Sequence, residues 1–151
     1  MRIYMDVCCL NRPFDDCNND RISIESEAIL KILYRCQEES WQLLGSDTID
    51  LEISRTSDLD KKQKVLSLYS TASFKIGFNA EIELLAQSYQ QYGLKLFDSV
   101  HLACAEYAHV DVLLTTDKSF LYKAQQIGNL HTKVENPVNW LMEVTSNEFT
   151  Y

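Results

Sequence analysis

The sequence predicts an α/β layered fold built on a mostly parallel sheet. Short apolar segments of strand character alternate along the chain with longer segments of helical spacing, the pattern of parallel strands joined by helical crossovers. The chain has 151 residues, near the common size of one domain with one sizeable core. It is 46% hydrophobic and 24% charged, as expected of an ordinary globular composition.

Each element follows from its own residues. Residues 2–7 alternate Ile3, Met5 and Val7 with polar positions, a strand ending near Asp6. Residues 13–20 read as loop, with Asn19 or Asp20 capping the next helix. Over 21–39, Ile22, Ala28, Ile29, Ile32, Leu33 and Cys36 keep helical spacing. Residues 41–44 form a short apolar strand closed by Gly45-Ser46, and Ser46 or Asp47 opens a helix through Arg55. A helix over 58–70 turns Val65, Leu66 and Tyr69 inward, followed by a brief strand over 74–78. Asn79 caps a helix to Tyr92, Gly93 ends it, and residues 97–108 are helical again. Residues 111–116 are the clearest strand, an apolar run ending in Thr-Thr-Asp. A helix over 118–127, a strand over 131–134 and a helix over 137–144 complete a single domain at 1–145, leaving 146–151 as a C-terminal tail. The four glycines fall between periodic segments, where they serve turns and helix ends.

Charge narrows the function classes. With 22 acids against 14 bases the net charge is −8, which excludes nucleic-acid binding through a general basic field. The acids concentrate in 15–60, whereas 61–75 carry Lys61, Lys62, Lys64 and Lys75 and no acid. Such a cluster is a solvated face or a limited guide for an RNA backbone. No apolar run reaches the roughly 18 residues of a membrane span, and the start lacks the apolar core of a secretory signal. Five cysteines without C-x-x-C spacing fit neither a disulfide framework nor a zinc site. Buried free thiols at Cys8, Cys9 and Cys104 and a reducing, cytoplasmic setting are expected.

Ligands of open parallel sheets bind beyond the carboxyl ends of the strands. Asp6 and Asp117 stand at two such ends, Asp98 at the start of a helix, and Glu52 in the helix that follows the second strand. At a helix start Asp98 also suits a plain N-cap. Carboxylates from distant segments gathered at one crevice are the donors that hold hard divalent cations for phosphodiester hydrolysis. Asp47, Asp50 and Glu27 are rivals to Glu52. His101, three residues after Asp98, reads as a packed, hydrogen-bonded core histidine within reach of the same site. Asn11-Arg12-Pro13 either brings Arg12 to a phosphate or simply forms a turn. Tyr89, Tyr92, Phe97 and Tyr107 are spaced for helix packing.

The segments Ile3-Tyr4-Met5-Asp6-Val7-Cys8-Cys9-Leu10, Leu96-Phe97-Asp98-Ser99-Val100-His101-Leu102-Ala103 and Asp111-Val112-Leu113-Leu114-Thr115-Thr116-Asp117-Lys118, with Thr48-Ile49-Asp50-Leu51-Glu52 less sharply, resemble the PIN-domain nucleases. That family includes the toxin ribonucleases of type II toxin–antitoxin modules. The resemblance implies a three-layer α/β/α fold with a five-stranded parallel sheet. It implies Mg²⁺ or Mn²⁺ held by Asp6, Glu52, Asp98 and Asp117, with Thr116 as a polar, water-positioning neighbour. It further implies an RNA substrate, a cognate antitoxin and self-pairing as a homodimer. The family often has Asn two places after its first aspartate; here that position is Cys8, with Asn11 close behind, so substrate contacts at that corner differ. The expected function is therefore a metal-dependent endoribonuclease, with a non-catalytic PIN-like partner-binding module as the alternative. A haloacid-dehalogenase-type phosphatase needs an acid at position 8, and Cys8 occupies it.

Overall fold

The central strand β1 (Arg2–Met5) buries Ile3, Tyr4 and Met5 completely or nearly so, as a strand covered on both faces must. The computed structural model, which describes residues 1–148, pairs it in parallel with β2 (Gln42–Ser46) on one side and β4 (Val112–Leu114) on the other. β3 (Phe74–Ile76) extends the sheet beyond β2, and β5 (Lys133–Glu135) extends it beyond β4. The order is β3-β2-β1-β4-β5, all parallel. Helices cover both faces in a three-layer α/β/α arrangement.

Among the described residues there are eight α-helices: α1 (Val7–Asn11), α2 (Asp20–Gln37), α3 (Asp47–Ser54), α4 (Leu59–Tyr69), α5 (Ala80–Gln90), α6 (Leu96–Tyr107), α7 (Lys118–Gln125) and, after the last strand, α8 (Pro137–Glu148). A 3₁₀ turn, Arg12–Phe14, links α1 to α2. Asn19, Ser46 and Asn79 cap their helices as expected, and Asp58 caps α4 in the same way, each accepting from the backbone N–H three residues on. α2 packs on α8 and α5 on α6. Trp41, just before β2, meets Trp140 of α8 edge to face at 4.9 Å.

Several expectations change. Val7, expected as the end of the strand, instead opens α1, which Asp6 caps by accepting from the Cys9 N–H, and residues 13 and 14, expected as loop, belong to the 3₁₀ turn. The expected strand over 111–116 is confined to Val112–Leu114, and α8 continues past Val144 to Glu148. Residues 149–151 of the expected tail lie outside the described residues. Asp98 is not an N-cap: Lys95 holds that position without a side-chain bond, and Asp98 sits in the first turn. Leu66 faces solvent, as do Tyr92 and Tyr107. Gly45 lies inside β2; a Cβ there would collide with the Tyr69 ring, so glycine admits the tyrosine. Gly93 alone among the glycines has positive φ, +86°, in the turn before α6. No helix among the described residues is long and apolar enough to cross a membrane.

Candidate functional site

From β1 the chain proceeds outward through β2 and β3, then returns to place β4 on β1's other side. Connections thus leave in opposite directions between β1 and β4, the arrangement that opens a crevice beyond the strand ends. Asp6 follows β1, and its N–H donates to Leu114 O of β4 at 3.2 Å. Asp117 follows β4 through Thr115-Thr116 and caps α7, accepting from the N–H groups of Ser119 (2.9 Å) and Phe120 (3.2 Å). Asp98 lies in the first turn of α6 and Glu52 in α3, the helix that leaves β2.

Electrostatics tie these four acids together. Asp6 is 2% exposed, and burial pushes its carboxyl above the ordinary range. The Thr115 hydroxyl, the Cys9 N–H and His101 pull it back, while Glu52 pushes it further up. Its Oδ1 accepts from the Cys9 N–H at 3.0 Å, but Oδ2 is buried without a hydrogen-bond partner. Asp98 rises from 3.8 to about 6, first through burial, then through the negative charges of Asp6 and Asp117, with Glu52 adding to them and His101 opposing. The Cys8 thiol is raised by burial and by the same four acids. Cys8 nevertheless reaches solvent, contrary to the expectation that it is buried; Cys9, Cys36 and Cys104 are buried, Cys17 is exposed, and all five are free.

Among the rivals to Glu52, Asp47 accepts from the Phe78 N–H at 3.0 Å, Asp50 pairs with Lys75 at 2.9 Å, and Glu27 is exposed on α2. Glu52 alone of these meets His101, Oε1 to Nε2, at 2.5 Å. His101 is 1% exposed, a satisfied core histidine that also touches the acid site. Among the described residues no three His, Cys, Asp or Glu side chains already stand close enough to hold a metal ion. The charges of Asp6, Asp117 and Glu52 all act on Asp98, but the four side chains do not close on one point.

Beside Asp117 lies a cleft of about 310 Å³ lined by Cys8, Asn11, Arg12, Lys61, Thr116 and Asp15. The Asn11 carbonyl oxygen is buried there without a partner. Thr116 is buried, and its backbone carbonyl accepts from Arg21 at 2.8 Å. Arg12 does not hang free in a turn. Its Nε lies 3.1 Å from Glu25 and its Nη1 3.2 Å from Asp15. The Nε contact is an ion pair without hydrogen-bond alignment. Glu25, 2% exposed, also meets Arg21 at 3.4 Å and accepts from Asn136 Nδ2 at 2.7 Å. This buried cluster was invisible in the sequence, where Glu25 is one acid among many in an amphipathic helix. The lysines of 61–75 are largely neutralised: Lys61 by Asp15, Lys64 by Asp60 and Lys75 by Asp50.

Neither a family model nor a curated protein sequence matches the chain. Solved structures do. VapBC2 from Rickettsia felis, solved bound to a DNA fragment from its promoter, aligns at TM-score 0.58 and 14% identity, over 89% of this chain and 98% of that one. PAE2754 from Pyrobaculum aerophilum aligns at TM-score 0.56 and 12% identity, over 97% and 90%. The fold is PIN-like. At such identities the likeness carries architecture alone.

Proposed function

We propose that the chain is a divalent-metal-dependent endoribonuclease acting as the toxin of a toxin–antitoxin pair in the cytoplasm. The observation that carries this reading is the buried Asp6 carboxylate, with an unpartnered Oδ2, beside an Asp98 carboxyl raised by burial and by the charges of Asp6, Asp117 and Glu52. A buried anion left unsatisfied costs several kcal/mol unless a cation or proton compensates it. All-oxygen donors suit Mg²⁺ or Mn²⁺, and Asp6, Glu52, Asp98 and Asp117 are the residues that would hold it. Such an ion supplies an activated water and neutralises charge on a phosphodiester.

The chain's own groups do the rest. Asp6 is oriented by the Cys9 N–H, and Asp117 is held by the first turn of α7. Arg12, fixed by Glu25 and Asp15, presents the rest of its guanidinium to the cleft where an RNA phosphate binds. Thr116 and Asn11 offer polar atoms there that orient water or ribose. The test is cleavage of RNA by purified protein with Mg²⁺, abolished by chelation and by Asp6→Asn or Asp98→Asn in folded protein. Equal cleavage by those variants overturns the assignment.

An antitoxin partner is supported by likeness to the VapBC2 assembly and by an apolar cleft of about 380 Å³ lined by Leu51, Phe78, Leu96, Phe97 and Val100. Co-expression with the product of an adjacent reading frame should silence cleavage, and light scattering of the pure chain reads its self-pairing as a homodimer. One observation favours the alternative, a non-catalytic partner-binding module: the acids are not drawn together to ligand distances. Calorimetric titration with Mn²⁺ separates the two, because the module gives no saturable binding.

A further inference from the structure

A single file of hydrogen bonds runs from the backbone of α3 through the core and back to Glu52. The Ile49 N–H donates to Ser46 Oγ at 3.0 Å. Ser46 Oγ lies 2.7 Å from the Tyr4 hydroxyl, and that hydroxyl 2.6 Å from His101 Nδ1. His101 Nε2 then meets Glu52 Oε1 at 2.5 Å. Ser46 is 0%, Tyr4 0% and His101 1% exposed, so no bulk water substitutes for a missing link. Tyr69 holds the file in place: its hydroxyl accepts from the Ser46 N–H at 3.1 Å and donates to the Ser46 carbonyl at 3.3 Å.

Direction follows from what each atom can do. An ionised Glu52 carboxylate only accepts, so a bare Nε2 lone pair at 2.5 Å would repel it; Nε2 must carry the proton. In the neutral ring Nδ1 is then the acceptor and takes the Tyr4 O–H. The Tyr4 oxygen takes the Ser46 O–H, and Ser46 Oγ takes the Ile49 N–H. Every group is satisfied in one sense of travel, which selects one histidine tautomer.

We propose that Tyr4 and Ser46 fix His101 as an Nε2–H donor, and that this donor positions the Glu52 carboxylate for a divalent cation. The inference rests on the metal-dependent reading above. It makes His101 a positioning residue that touches neither cation nor RNA. It also explains why Glu52, and not Asp47 or Asp50 of the same helix, belongs with Asp6: only Glu52 is reached by the file. Hydrogen-bond partners of metal ligands typically change metal affinity about 10- to 100-fold when removed.

The experiment measures Mn²⁺ dissociation constants by calorimetry for wild type, Asp6→Asn, His101→Leu, His101→Gln and Tyr4→Phe, with thermal melts confirming folding. Wild type should bind saturably and Asp6→Asn should not. His101→Leu should weaken binding about tenfold or more. Tyr4→Phe, which keeps the ring and loses only the hydroxyl, should weaken it several-fold. His101→Gln, which restores an amide donor toward Glu52, should recover most of the loss. Nitrogen NMR of the wild-type imidazoles, three in all, should show the neutral His101 ring carrying its proton on Nε2 and not on Nδ1. Absence of saturable binding in wild type overturns both readings. Saturable wild-type binding with unchanged constants in His101→Leu and Tyr4→Phe overturns this inference alone. If His101→Leu does not fold, Tyr4→Phe and the wild-type tautomer decide, and a proton on Nδ1 refutes the proposal.

Discussion

Replacing Asp98 by Asn should stabilise the protein at high pH and do nothing at low pH. Burial and the charges of Asp6 and Asp117 raise this carboxyl from 3.8 to about 6. A raised carboxyl favours the neutral folded form. The folded state therefore carries no penalty below 3.8, a growing one between 3.8 and 6, and the full penalty above. At about 1.4 kcal/mol per pH unit the rise corresponds to roughly 3 kcal/mol before screening. Asp98 is only half-buried, so solvent reduces this to on the order of 1–2 kcal/mol. Its charge in the first turn of α6 is worth about 0.5 kcal/mol against the helix dipole, and Asn forfeits that. The net gain at pH 8 is on the order of 1 kcal/mol, or about 2–4 °C in Tm for a chain of this size. Metal-free thermal melts of wild type and Asp98→Asn at pH 4 and pH 8 measure it. A variant no more stable than wild type at pH 8, or one whose advantage is the same at both pH values, refutes the mutual repulsion of these acids.

Three further outcomes follow from particular contacts. Glu25→Gln leaves Arg12 and Arg21 without their buried counter-charge and should cost about 3 kcal/mol in urea unfolding. Asp117→Asn keeps an oxygen for the Ser119 and Phe120 N–H groups and should hold stability within about 0.5 kcal/mol, whereas Asp117→Ala should lose about 1 kcal/mol; RNA cleavage should vanish in both. Gly45→Ala drives a methyl into Tyr69 and should cost about 2 kcal/mol, with Tyr69→Phe non-additive beside it in a double-mutant cycle.

Local chemistry was readable where one residue decides. The caps at Asn19, Ser46, Asp58 and Asn79 are short polar side chains just ahead of apolar periodicity, and each opens a helix as expected. The apolar run after Asp111 marks a central strand. What escaped depends on meetings across the chain. α1 is one turn plus a residue, too short for periodicity to declare itself. Leu66 satisfies helical spacing yet faces solvent, while Val65 and Tyr69 of the same helix are buried. At the site, the four acids are named from strand ends and resemblance; that Glu52 meets His101, 49 residues away, is a contact no local pattern announces. Tyr4 and Glu25 gave no signal, since a strand tyrosine and a helix glutamate are ordinary until their partners at Ser46 and Arg12 are seen.

The pairing of Lys61, Lys64 and Lys75 with Asp15, Asp60 and Asp50 has a consequence for approach at a distance. Each pair is a dipole whose field dies within a few ångströms, so the chain is felt beyond that only as its net −8. A polyanion drifting toward the crevice is repelled until it arrives. Added salt, which screens over about 10 Å at 0.1 M, should therefore speed encounter with RNA where it slows encounter for basic nucleic-acid binders. On the proposed reading, capture of such a partner would depend on short-range contacts, and ionic strength would act on this protein in the sense opposite to that of a basic one.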